Sequence, residues 1–82
     1  MSNLKDIMEF PALHTFKIVG KNTPLFRSEI SKIFQGVDIP SPRPSRDGNY
    51  VSYSITVLVE NFQELETFYK KISFINELKF YL

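Results

Sequence analysis

Cysteine is absent from the 82 residues. That absence excludes disulfides, thiolate nucleophiles and cysteine-ligated zinc or iron–sulfur centres. Histidine is nearly as scarce, His14 being the single one. A metal site ordinarily draws several ligands at fitted spacing, so His14 reads as a packed or capped strand residue, and no metal or cofactor is expected. Charge of one sign is lacking too. Ten basic residues against nine acidic ones leave a formal +1, too little for general attraction to nucleic acid or anionic lipid. No apolar run approaches the ~20 residues of a membrane-spanning helix, and the first residues lack the apolar core of a secretory signal. The default expectation is a cytoplasmic protein with no membrane partner.

What is present suffices for one core. A hydrophobic fraction of 43% with eight Phe and four Tyr argues against disorder. A chain of this length makes one domain that buries roughly 60–65% of its unfolded surface. Residues 1–12, polar and mixed, read as an N-terminal arm with Phe10-Pro11 as the first sign of order. Residues 13–82 then form a single domain.

The organising stretch is Pro40–Val59. Asp47-Gly48 between two extended runs favours a two-residue type I′ turn. That register sets Ser45 opposite Tyr50, Pro44 opposite Val51, Arg43 opposite Ser52 and Pro42 opposite Tyr53. After the turn, Val51, Tyr53, Ile55, Val57 and Val59 share one face, with Ser52, Ser54 and Thr56 on the other. Before it, Pro40, Pro42 and Pro44 recur at every second residue and place three missing N–H groups on one edge. Such a strand lies at the outside of a sheet.

The remaining segments fit around this hairpin. Leu13–Gly20 is a strand with His14, Phe16 and Ile18 on one face and Thr15, Lys17 and Val19 on the other. Asn22 or Thr23 caps a helix whose first residue is Pro24, with Phe26, Ile30, Ile33, Phe34 and Val37 as its apolar stripe and Gly36 as its stop. Asn61 caps a second helix with a stripe of Phe62, Leu65, Phe68, Tyr69 and Ile72; Phe74 and Ile75 pack as it ends. Glu77–Leu82 is a last strand, with Leu78, Phe80 and Leu82 inward and Lys79 and Tyr81 outward. The order β-α-β-β-α-β predicts an α+β ferredoxin-like sandwich. Two helices cover one face of a four-stranded antiparallel sheet of order 4-1-3-2, with the proline strand on an edge.

Phe10-Pro11, Phe16-Lys17-Ile18-Val19-Gly20 and Arg43-Pro44-Ser45-x-x-Gly48-x-Tyr50-x-Ser52 together resemble the YbeD-like family of small uncharacterised bacterial proteins. The resemblance covers the chain from Phe10 to Leu82, and its specific part is the Arg-Pro-Ser-x-x-Gly-x-Tyr segment. That family's fold is similar to ACT domains, which often bind amino acids and regulate metabolic enzymes. The resemblance therefore implies a regulatory or interaction module. ACT domains typically follow their first strand with Asp/Asn-x-Pro-Gly, whereas the matching stretch here is Asn22-Thr23-Pro24-Leu25. The leucine side chain crowds the approach that glycine leaves to an effector.

Two surfaces emerge as candidates. Lys17, Arg43, Ser45, Tyr50, Ser52 and Ser54 converge on the uncovered sheet face, a polar platform for a partner protein or a small anionic metabolite, with Arg43 as its fork. Solvated cross-strand pairs would look the same. The loop Gly20, Lys21, Asn22 and Thr23 meets a helix N-terminus, where an anion is favoured, although any capped helix start offers these features. The leading expectation is a non-enzymatic ACT-like module that binds a partner or metabolite. One alternative is a single-stranded RNA binder using the same face, since RNA-recognition motifs share the fold. Another is an acylphosphatase-like hydrolase, although that chemistry uses a loop arginine where this chain has Lys21. The last strand, free of proline, or the open face itself offers a route to a weak homodimer.

Overall fold

The computed structural model describes residues 9–82. The expected arm falls mostly on residues outside that range; within it, Phe10 packs against the core and Ala12 already begins a strand. The elements run β1 (Ala12–Lys21), α1 (Pro24–Ile33), β2 (Arg43–Pro44), β3 (Tyr50–Val59), α2 (Phe62–Ser73) and β4 (Leu78–Tyr81). Their sheet order is β2-β3-β1-β4, with all three neighbouring pairs antiparallel. This is the ferredoxin-like sandwich with the expected strand order. No helix among the described residues is long and apolar enough to cross a membrane.

β1 and β3 form the spine, paired continuously from Ala12–Val59 to Lys21–Tyr50. Alternation sends Phe16 and Ile18 of β1, and Val51, Tyr53, Ile55 and Val59 of β3, to the helix side. There they meet Phe26, Ile30 and Phe34 of the first helical segment, and Leu65 and Ile72 of α2. Both helices start where the sequence indicates. The Thr23 hydroxyl accepts the Phe26 N–H at 3.2 Å ahead of Pro24. Asn61 Oδ1 accepts the Glu64 N–H at 2.8 Å, while the Glu64 carboxylate reaches back to the Glu60 N–H at 3.2 Å. His14 is a packed strand residue, its Nε2 2.7 Å from the Tyr69 hydroxyl. Burial, then the neighbouring Tyr81, hold the Tyr69 phenol above its ordinary 10.0.

Four details depart from expectation. First, the hairpin register is as expected, but the turn is not type I′. Gly48 has φ +79° while Asp47 keeps a negative φ, and the Gly48 N–H bonds to the Ser45 carbonyl at 3.0 Å. The Asp47 carboxylate organises the turn instead. Its Oδ1 accepts from the Ser45 hydroxyl at 2.8 Å and the Asn49 N–H at 3.1 Å, and its Oδ2 from the Asn49 side chain at 3.0 Å. An aspartate that bonds forward to the backbone makes a turn of its own, without the second positive φ.

Second, the proline strand pairs only at Arg43 and Pro44, continued by the Ser45 N–H on the Tyr50 carbonyl at 2.8 Å. Prolines held near φ −65° do not follow the more extended, twisted β3 for long. Third, β4 changes phase. Gly20 pairs with Leu78 but Val19 with Phe80, leaving Lys79 as a bulge. One extra residue inverts everything after it. Phe80 therefore lies beside Val19 on the open face, 48% exposed. Leu82, opposite Lys17, is 69% exposed. Tyr81 turns to the helix side, its ring 5.9 Å from that of Tyr69. Fourth, Ile75 packs but Phe74 does not, being 75% exposed just past α2.

The Asp47 turn carries a pH prediction. Hydrogen bonds, the Asn49 N–H foremost and then the Ser45 hydroxyl, hold its carboxyl below the ordinary 3.8. A depressed carboxyl stabilises the fold above its unfolded pKa, and that contribution disappears as pH falls through the folded value. The Asn49 amide resonance is expected to titrate with a midpoint below 3.8, and Asp47→Asn to abolish the step. A midpoint at or above the ordinary value would show that these bonds do not persist in solution.

Candidate functional site

The register assembles the sheet-face candidates as their sequence positions require. Arg43 lies opposite Ser52, and Lys17 opposite Ser54. The Ser45 N–H pairs with Tyr50. All belong to the face opposite α1 and α2, because the residues alternating with them are the buried Val51, Tyr53, Phe16 and Ile18. Their freedom to bind differs, however. The Ser45 hydroxyl is engaged by the turn, donating to Asp47 and accepting the Tyr50 N–H at 3.1 Å. The Tyr50 ring is covered by the Lys79 ammonium, 4.2 Å from its centroid. Lys17, Arg43 and Ser54 remain exposed and Ser52 half-buried. A shallow depression of about 210 Å³ lies beside Arg43, between Pro44, Tyr50, Ser52 and Val19.

The first loop is not a separate site. Asn22 docks on the hairpin turn, its N–H on the Asn49 carbonyl at 2.9 Å and its side chain donating to the Gly48 carbonyl at 3.0 Å. Lys21, Asn22 and Thr23 thus share a cavity of about 390 Å³ with Gly48, Asn49 and Tyr50. Gly20 does not line it. That residue lies inside β1, buried, and an added Cβ would stand 2.4 Å from the Phe26 ring. Leu25, at the position of the ACT glycine, is half exposed beyond the cap. The two surfaces join at Tyr50, which lies in both depressions.

Sequence reasoning missed two groups of residues. Gly48 and Asn49 belong to the loop cavity because antiparallel pairing brings the end of β1 to the start of β3. The strand order already contained that neighbourhood. The second group is apolar. Leu13 and Leu58 pair across β1 and β3 on the open face, and Phe80 and Leu82 line its β4 side. All four are exposed. Strict alternation from Tyr50 would have placed Leu58 there, whereas Phe80 and Leu82 arrive only through the Lys79 bulge. The platform expected to be polar is in fact a cationic centre with apolar margins.

Comparison with known proteins places this geometry among relatives. The family model described as a protein of unknown function (DUF493) matches residues 5–82. A UPF0250 protein of Buchnera aphidicola subsp. Schizaphis graminum is 36% identical over 85 residues, covering 99% of this chain and 98% of that one. A UPF0250 protein of Haemophilus influenzae is 37% identical over 82 residues, covering 95% and 89%. Among solved structures, protein HP0495 from H. pylori superposes with a TM-score of 0.71 at 16% identity, over 92% of this chain and 85% of that one. The ACT domain from GTP pyrophosphokinase of Chlorobium tepidum gives 0.67 at 17%, over 85% and 94%.

Proposed function

The chain belongs to the DUF493 family, the YbeD-like proteins of ACT-like fold, and we propose that it acts by binding, docking a partner protein on its open sheet face. The supporting observation is that face itself. It joins exposed apolar side chains to Lys17 and Arg43 on a sheet over which no element of the described residues packs. Interfaces combine an apolar contact with arginine in this way. In this reading the module performs no reaction of its own and regulates, or is recruited by, the protein it binds. The loop cavity beside Tyr50 serves as a secondary place for a small anionic metabolite, and strand addition along β4 as a route to a weak homodimer. The reading places the protein in the cytoplasm.

Affinity capture from lysate with two baits tests the reading. The native chain is expected to retain a stoichiometric protein that Arg43→Glu loses, while both baits melt alike because Arg43 is exposed. Titrating the recovered partner onto the native chain should then move resonances of β1 and β3 on the open side. A partner held equally by both baits, or mapping to the helices, would overturn the assignment.

A further inference from the structure

Charge is segregated in this chain although its total is nearly balanced. The four strands contain Lys17, Lys21, Arg43 and Lys79, and no Asp or Glu. The carboxylates of the described residues lie on helices, turns and connections; those next to the sheet are Asp47 in the hairpin turn, Glu60 directly after β3 and Glu77 directly before β4. Outward positions at the centre of the face include Thr15, Lys17, Val19, Ser52 and Ser54, and those at its margins Leu13, Leu58, Phe80 and Leu82. Arg43 and Lys17 stand two strands and two residues apart, which sets their Cα atoms about 12 Å from one another. Side chains of that length can converge on one carboxylate above Ser52 and Ser54.

Building on the open face as the docking surface, we propose that its partner presents an acidic amphipathic segment of polypeptide. The carboxylates of that segment meet Arg43 and Lys17, and its apolar residues rest on Phe80, Leu82 and the Leu13–Leu58 pair. Charge complementarity selects this occupant. A second copy of the chain stacked face to face would bring the same cations together without counter-charge, a costly arrangement. Nucleic acid would satisfy the cations but not the rest. Tyr50 is already covered by Lys79, β1 offers no outward aromatic residue, and base recognition on this fold relies on such stacking surfaces. Aliphatic leucines at the margins suit protein side chains, and a guanidinium forks onto a carboxylate through two parallel bonds.

The probe is a synthetic helical peptide with leucine on one face and glutamate on the other, titrated onto the isotopically labelled full chain. Peptides with glutamine for glutamate, and oligouridylate RNA, serve as comparators. The glutamate peptide is expected to shift the amides of Lys17, Val19, Ser52 and Phe80, and to bind about tenfold more tightly than the glutamine version. The Lys17→Glu/Arg43→Glu double variant should lose that margin, as should Lys17→Gln/Arg43→Gln, and high salt should narrow it. Unshifted resonances in the helices report that both variants stay folded. Equal binding of the two peptides, no binding of either, or tighter binding of oligouridylate at the same amides would each overturn the proposal. Its failure is separable from that of the docking surface. A partner that Arg43→Glu loses, with no acidic peptide bound, sinks the partner's chemistry alone; capture indifferent to Arg43→Glu removes the surface as well.

Discussion

Phe16→Ala is expected to lower the stability of the fold by about 3–5 kcal/mol, the range for removing a fully buried aromatic ring. Phe16 is wholly buried in the middle of β1. Its ring centroid lies 4.6 Å from that of His14, 5.0 Å from Tyr69, 5.3 Å from Phe68 and 5.6 Å from Phe34. The contacts come from the sheet, from α2 and from the end of α1, so no single element can shift to close the void. Phe34 and Phe68 are also stacked on each other, 5.2 Å apart at 8°, and would lose the edge they lean on. A domain of this size has a total stability of roughly 4–12 kcal/mol, so the variant would sit near its limit. The melting temperature should fall by about 12–30 °C. Phe16→Leu, which keeps most of the volume, should cost less than half as much. Denaturant and thermal unfolding of the three proteins decide the matter. A loss below about 1 kcal/mol for alanine would show that the site collapses freely, and that the aromatic cluster is not the keystone of the core.

The helix caps, the buried stripes and the strand order were legible because each follows from a local chemical need. Thr23 and Asn61 supply oxygen to free N–H groups, and alternation in β3 admits one register against a core. Pro44 has no N–H to offer a neighbour and belongs on an edge. Legibility ended where one residue could change phase without leaving a mark. Phe80, Tyr81 and Leu82 are all apolar, so the chain reads equally well in either phase once Lys79 is unpaired, and the bulge is written only in the pairing with Val19 and Gly20. The Asp47 turn is a similar case. Asp-Gly supports two turn geometries, and the choice rested on the Ser45 and Asn49 side chains. The candidate face was found through its polar members; the Leu13–Leu58 margin was legible from alternation and overlooked, while Phe80 and Leu82 were hidden by the bulge. That matters for the proposed docking, because the margins add exposed apolar side chains to a face otherwise read as solvated.

Gly20→Ala is the second large effect expected, and it bears on what the first loop is for. Glycine near the end of β1 could exist to let a ligand approach the backbone there, or to make room for the fold. The geometry favours the fold. A Cβ at Gly20 would lie 2.4 and 2.5 Å from two atoms of the Phe26 ring and 2.7 Å from the Glu77 carbonyl oxygen. Phe26 is fully buried, and that carbonyl is held by the Lys21 N–H at 3.0 Å, so neither neighbour yields easily. Overpacking of this kind should cost about 2–3 kcal/mol and lower the melting temperature by about 10–20 °C. Gly36→Ala is the contrast: nothing lies within 4 Å of its Cβ, but φ is +78°, so the penalty is conformational, about 1–2 kcal/mol. Adding Phe26→Leu to Gly20→Ala should recover part of the loss, giving a coupling that the two single variants do not predict by addition. The contact with the Glu77 carbonyl would persist, so recovery should be incomplete. If Gly20→Ala proved stable and uncoupled to Phe26, the ring would have moved aside. Glycine would then not be needed there for packing, and ligand access to the backbone of the first loop would become the better explanation.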